Sequence, residues 1–362
     1  MVVFVGYPLI LGEIALGRKT QKGAIEAYRI ADRRFTCSGI FETIVPFLLI
    51  CFYCTMGGYV IKYMIANLGD VFGAGWGTGR GDSGAYFGEF ISSTPAIFFG
   101  ALFLLLTVLI VLGGVSGGIE NFSKFAMPAL FVMLVIVIIR SLTLDGAVEG
   151  LKFMFVPGYA VEGGFIEEAP NFITVLATAG GQMFFSLSLA MGVMFTYGSY
   201  LSKKENLVKN AALIVFSDTL VALMAGLAVI PAAVAISGPS ATLSGPKLLF
   251  ITLQDVFNAM GTAGPLFGVL FYLLVLIAAL TSAVSLVEVV TTFFLDRAEE
   301  KGKKGNRSKV VLIVCLAILV EASIVAIDGL GAGGLGESLG SGLPVPFKEA
   351  AATVLADGTV QY

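Results

Sequence analysis

Apolar residues dominate the chain in runs of membrane-crossing length at about 41–68, 94–115, 124–142, 171–201, 207–236, 265–295 and 308–327. One bilayer crossing takes roughly 20 predominantly apolar residues, so the pattern predicts seven complete membrane helices. An eighth apolar run, Met1–Leu16, opens the chain and falls about five residues short of a crossing. It carries Glu13 and continues into Gly17-Arg18-Lys19, with neither a basic start nor a small-residue cleavage site. It therefore reads as the end of a membrane helix that begins upstream, not as a signal peptide.

Polar residues between the runs set an orientation. Sixteen of the 22 Lys and Arg residues fall in alternate connections. They are Arg18, Lys19, Lys22, Arg29, Arg33 and Arg34, then Lys124, then Lys203, Lys204 and Lys209, then Arg297, Lys301, Lys303, Lys304, Arg307 and Lys309. Basic residues concentrate in short cytoplasmic loops, so these connections face inward. The long glycine-rich and acidic stretches 69–93, 143–170 and 237–264 face outward. Residues 1–328 are expected to form a membrane-embedded core, and 329–362 an external loop with the incomplete start of a further helix. Within that tail, Gly331-x-Gly333-x-x-Gly336 matches a dinucleotide fingerprint in letters only, because no strand precedes it and no helix opens on its last glycine.

Composition narrows the class. Of 362 residues 57% are hydrophobic and 13% charged, against roughly 25% charged in soluble domains, and the mean hydropathy is +0.93. There is no histidine, which excludes Ser-His-Asp and Cys-His nucleophiles and histidine-bound zinc or iron. Four cysteines, at 37, 51, 54 and 315, are too few for a disulfide scaffold, and Cys51 and Cys54 sit inside an apolar run. The chain is expected to be an all-α membrane protein without catalytic activity of its own.

Ionisable groups inside membrane spans are costly and mark cavities or pathways. Here they are Glu13, Asp218, Glu288 and Glu321. Glu321 is expected near the outer interface, whereas Asp218 and Glu288 lie deeper. For both, a carboxylate satisfied by a neighbouring helix stands beside a functional reading. The fourth span holds Gly180-Gly-Gln-Met-Phe-Phe-Ser-Leu-Ser-Leu-Ala-Met-Gly192. Two readings of it stay open: an unwound segment whose freed backbone binds an ion or substrate, or small residues that admit a close neighbouring helix. In the sixth span Ala278, Thr281 and Ser282 share one helix face, with Leu286 a turn further. Their oxygens suit a small hard cation, and back-bonding to their own helix is the alternative.

Six stretches together resemble the neurotransmitter:sodium symporter family, above all its bacterial amino-acid transporters. They are Gly6-Tyr-Pro-Leu-Ile-Leu-Gly-Glu-Ile-Ala-Leu-Gly-Arg18, Gly117-Gly-Ile-Glu-Asn-Phe-Ser-Lys-Phe-Ala-Met-Pro128, Gly181-Gln-Met-Phe-Phe-Ser-Leu-Ser-Leu189, Thr196-Tyr-Gly-Ser-Tyr200, Phe250-Ile-Thr-Leu-Gln-Asp-Val-Phe257 and Leu280-Thr-Ser-Ala-Val-Ser285. The resemblance spans about 1–328, from within the family's second helix through its ninth. It implies an inverted-repeat bundle of the leucine-transporter type, with its sixth helix broken around Ser188–Gly192. The family's first helix, which carries part of the ion and substrate sites, and the helices after the ninth would lie outside this chain, which alone is not expected to transport.

By the same resemblance, Ser186 binds one sodium ion and Ala278, Thr281 and Ser282 bind another. Tyr53 meets the substrate carboxylate. Phe185, Ser188, Met191 and Leu286 line the pocket, Ser282 also binds the substrate, and Gln182 lies near the chloride position of chloride-dependent relatives. Asp218 falls at or one residue from a seventh-helix asparagine that binds sodium. A fixed carboxylate there would supply the charge that chloride supplies elsewhere, so transport is expected to be chloride-independent. The implied function is sodium-coupled symport of a small neutral amino acid by alternating access across the cell membrane, the bacterial inner membrane. The implied partners are that amino acid, Na⁺ and the lipid bilayer, with no enzymatic cofactor and no nucleic acid. A non-transporting ligand-binding homologue or sensor, or a degenerate fragment without activity, is the alternative reading.

Overall fold

The computed structural model describes residues 1–328 except Arg80, Ser92, 241–244 and Lys304, together with 353–354 and 360–361. The Gly331…Gly336 motif and the expected start of a further helix after 328 lie outside the described residues.

Asparagines start three of the helices. The side chains of Asn171, Asn206 and Asn306 accept hydrogen bonds from the backbone N–H of Thr174, Lys209 and Lys309, at 2.8, 3.0 and 3.1 Å. Each satisfies an orphan donor of the first turn. In chain order the helices are α1 (Tyr7–Thr20), preceded by a π-turn over Val2–Gly6, α2 (Ala24–Ala31), α3 (Thr36–Val71), α4 (Ser83–Ile91) and α5 (Thr94–Leu112). Then come α6 (Asn121–Leu142), α7 (Ala147–Phe155), α8 (Tyr159–Glu162), α9 (Phe172–Ser186), α10 (Val193–Tyr200) and α11 (Leu207–Ser237). The last are α12 (Gly245–Lys247), α13 (Leu253–Ala259), α14 (Gly264–Glu300) and α15 (Arg307–Ile327). A two-residue antiparallel pair, β1 (Thr353–Val354) with β2 (Val360–Gln361), lies in the tail.

Among the described residues, six segments are long and apolar enough to cross a bilayer: Arg33–Val71, Thr94–Leu112, Gly117–Leu142, Leu207–Ser237, Gly261–Glu300 and Arg307–Ile327. The seventh expected crossing, 171–201, is not continuous. It is two half-helices, α9 and α10, joined by Leu187–Gly192.

α3 and α14 form the central pair, flanked by α5 and α15. α5 crosses α3 at glycines: a Cβ on Gly58 would stand 2.6 Å from the Phe99 carbonyl carbon. This is the small-residue contact by which membrane helices gain van der Waals packing. α1 packs on α10 in the same manner, with Gly17 against the Phe195 backbone and Gly198 against that of Ile14. On the outward side Tyr59, Tyr63, Phe87, Phe250 and Tyr272 form one ring cluster that fastens α4 and the segment before α13 onto α3 and α14. On the basic side Lys22 pairs with Asp296 and Glu299, and Arg29 with Glu300, docking α2 onto the end of α14.

Candidate sodium and substrate site

The break between α9 and α10 is built from backbone that has left the helix. Ser188, Ala190 and Gly192 have φ of 53°, 57° and 66°. The left-handed region costs a non-glycine residue roughly 1–2 kcal/mol, so two of these positions are strained. The ladder ends in a tightened turn, Ser188 N–H to Phe185 C=O at 3.1 Å, and resumes with Thr196 N–H to Gly192 C=O at 3.0 Å. Between them the Ala190 N–H donates to Oε1 of Glu13 on α1 at 3.0 Å. A side chain from another helix thus takes up a backbone group freed by the break, as unwound backbone at membrane depth requires.

At the end of α9, Ser186 Oγ donates to Asp218 of α11, 2.8 Å from Oδ1 and 3.0 Å from Oδ2. Two expected sodium ligands, 32 residues apart in sequence, are therefore together. The Asp218 carboxylate retains lone pairs for a cation, and the Ser186 oxygen keeps its own while donating. Asp218 is half-buried and Ser186 is exposed, on an open side of the bundle. Gln182, one turn before Ser186, shares its face of α9 by helical spacing and is also exposed.

On α14 the Thr281 hydroxyl donates to the Ala278 carbonyl at 2.8 Å, and Ser285 Oγ to the Thr281 carbonyl at 3.0 Å. Back-bonding is thus present, and it is compatible with ligation, because a donating hydroxyl and a singly bonded carbonyl each retain lone pairs. Ser282 is exposed, and the Tyr53 hydroxyl of α3 is its hydrogen-bonding neighbour, which joins the expected carboxylate-binding tyrosine to the expected cation face. Met191 and Leu286 belong to the packed core around α3 and α14, Leu286 at 5% exposure. Phe185 is instead 50% exposed, and Ser188 lies in the break itself.

Glu288 and Glu321 have partners on neighbouring helices. Glu288 is fully buried and held by Arg307 of α15, Nη1 to Oε1 at 2.9 Å and Nη2 to Oε2 at 2.6 Å, with the Tyr200 hydroxyl donating at 2.6 Å. Satisfaction by neighbouring helices is the reading that fits Glu288. Glu321 lies against the buried thiol of Cys51, midway along α3. Three groups were not singled out by the sequence reading: Arg307, seen only as a loop charge, Tyr200, and Glu42. The signal for Glu42 was available, since it is an acid one residue inside the 41–68 run.

A bundle of membrane helices, one of them broken opposite paired hydroxyl and carboxylate oxygens, defines a class of ion-coupled transporters. The model of the sodium:neurotransmitter symporter family matches residues 98–334. An uncharacterized sodium-dependent transporter of Bacillus subtilis, YhdH, is 37% identical over 320 residues, covering 87% of this chain and 67% of the relative. One from Haemophilus influenzae is 32% identical, covering 91% and 70%. The crystal structure of MhsT in complex with L-phenylalanine superposes with a TM-score of 0.77 at 32% identity, covering 92% of this chain and 71% of that one. The chain belongs to the sodium:neurotransmitter symporter family.

Proposed function

We propose that this sodium-dependent symporter carries a small neutral amino acid and works without chloride. The observation that supports the reading is the Ser186–Asp218 pair beside the break, a carboxylate hydrogen-bonded to the other expected sodium ligand. Tyr53 beside Ser282, with Met191 and Leu286 in the packed core nearby, supports an amino acid whose carboxylate meets Tyr53 and whose side chain is apolar. The phenylalanine held by MhsT has that chemistry.

The driving force suffices. One sodium ion moved through 100 mV yields about 2.3 kcal/mol. A tenfold gradient adds about 1.4 kcal/mol. Two ions then supply about 7 kcal/mol, enough for a roughly 10⁵-fold substrate gradient. The test is uptake of labelled neutral amino acids into proteoliposomes by the protein as its gene encodes it, with chloride replaced by an impermeant anion. Uptake that needs sodium and ignores chloride supports the reading, and steep chloride dependence overturns it.

A further inference from the structure

An open stripe runs down α14. Ala278, Thr281 and Ser285 are half-buried and Ser282 is exposed, at spacings i, i+3, i+7 and i+4, whereas the residues between them are buried. On the basic side the stripe ends at α10, the half-helix that follows the break. There the Tyr197 hydroxyl lies 2.8 Å from Ser285 Oγ, and one turn further Tyr200 meets Glu288 and Thr292. Among the described residues, these are the side-chain hydrogen bonds between α10 and α14. Only the one from Tyr197 reaches the expected cation face.

The proton on Ser285 is already committed. A serine hydroxyl has one hydrogen to give, and Ser285 donates it to the Thr281 carbonyl at 3.0 Å. Tyr197 is therefore the donor to Ser285. The Thr281 hydroxyl in turn donates to the Ala278 carbonyl at 2.8 Å. Hydrogen bonds thus run from α10 into the Ala278–Thr281 turn, whose oxygens are the expected ligands, and each bond in such a series polarises the next. On its other face α10 is closed on α1, through Gly17 against Phe195 and Gly198 against Ile14. A phenylalanine at 197 would fill the same space, so the hydroxyl contributes this link and not the packing.

We propose that Tyr197 and Ser285 are positioning residues for the sodium ion, a latch that ties the grip of α10 on α14 to occupancy of the Ala278–Thr281 turn. The proposal rests on the sodium reading of that turn. A cation held by the Ala278 carbonyl and the Thr281 hydroxyl fixes the turn, and with it the Thr281 carbonyl that accepts from Ser285. Ser285 then keeps its orientation toward Tyr197, and α10 stays against α14. Coupling of this kind is reciprocal, so loss of the latch weakens the ion by the factor by which the ion strengthens the latch. Departure of the ion frees α10 to part from α14 on the basic side, as opening of a site toward that side requires.

The test uses the purified, gene-encoded protein in lipid nanodiscs and needs no transport. It measures binding of radiolabelled sodium, and hydrogen exchange of the amides of residues 193–200 in sodium and in potassium. In the wild type sodium is expected to slow exchange in α10. Tyr197→Phe should weaken sodium binding by roughly two- to tenfold, the span of one neutral hydrogen bond, and remove most of that protection. Amino-acid affinity at saturating sodium should stay unchanged, which a general loss of structure would not allow. Ser285→Ala should weaken sodium more, because it strands the Tyr197 hydroxyl, and Tyr197→Phe added to it should restore part of the loss. Ser285→Thr, which keeps a hydroxyl, should behave as wild type. Sodium binding and α10 protection both unmoved in Tyr197→Phe, or effects of the two substitutions that simply add, overturn the proposal. Thr281→Ala separates it from the sodium reading. Unchanged sodium binding in Thr281→Ala removes that reading and the latch together, whereas weakened binding there beside an unaffected Tyr197→Phe removes the latch alone.

Discussion

At the scale of single residues, charge placement decides most of what this chain can do. Glu288 at 0% exposure is tolerable because Arg307 and Tyr200 saturate it. Removing one partner of a buried pair strands the other, at a cost of about 3–5 kcal/mol. Arg307→Met should therefore lower the thermal unfolding midpoint markedly, and Glu288→Gln in that background should restore much of the loss. A double variant as unstable as the single would refute the pairing account. Asp218 is the proposed functional counterpart. Hydrogen bonds to charged groups are worth about 1.5–3 kcal/mol, so Asp218→Asn should weaken sodium activation by about tenfold or more. It should also make transport respond to chloride, measured as uptake against sodium at fixed and zero chloride. Thr281→Ala with Ser282→Ala should raise the sodium concentration for half-maximal uptake, and an unchanged value would remove both from the ion site.

At the scale of elements, the broken span is the informative case. Sequence periodicity marks 171–201 as one crossing, because its glycines and hydroxyls are as compatible with tight helix packing as with unwinding. What satisfies the break is not local: Glu13 arrives from 177 residues earlier to take the Ala190 amide. The resemblance located the break, and the residues by themselves left it open. Arg307 is not legible in the sequence because its partner Glu288 becomes a neighbour only when α14 and α15 pack; Glu42 is legible as an acid inside the 41–68 run, but its partner Tyr28 is not. The continuous crossings were legible from apolar run length alone, to within a few residues at most ends. The break makes a prediction of opposite signs. Ala190→Gly relieves a left-handed residue and should stabilise by up to about 1 kcal/mol. Gly192→Ala puts a Cβ at φ 66°, 2.9 Å from the Glu42 carbonyl oxygen, and should destabilise and weaken sodium binding. Thermal unfolding of both variants with and without sodium reads this directly.

At the scale of the whole molecule, a fixed frame and a broken element meet. α3 and α14, locked by rings outside and by Lys22, Arg29 and Arg307 on the basic side, form a scaffold. α9 and α10 present strained backbone to it, with α1 closed tightly on α10. Alternating access asks for such a division, in which one unit moves around a site near the bilayer midplane. Sodium, not chloride, is proposed to charge this site and drive uptake. The most direct measurement is accumulation of labelled neutral amino acids in proteoliposomes of the gene-encoded protein under an inward sodium gradient with chloride absent on both sides. Concentrative uptake that collapses when the sodium gradient is dissipated, and falls sharply in Asp218→Asn, is the expected result. Uptake that proceeds without sodium, or that appears only when chloride is supplied, would contradict it.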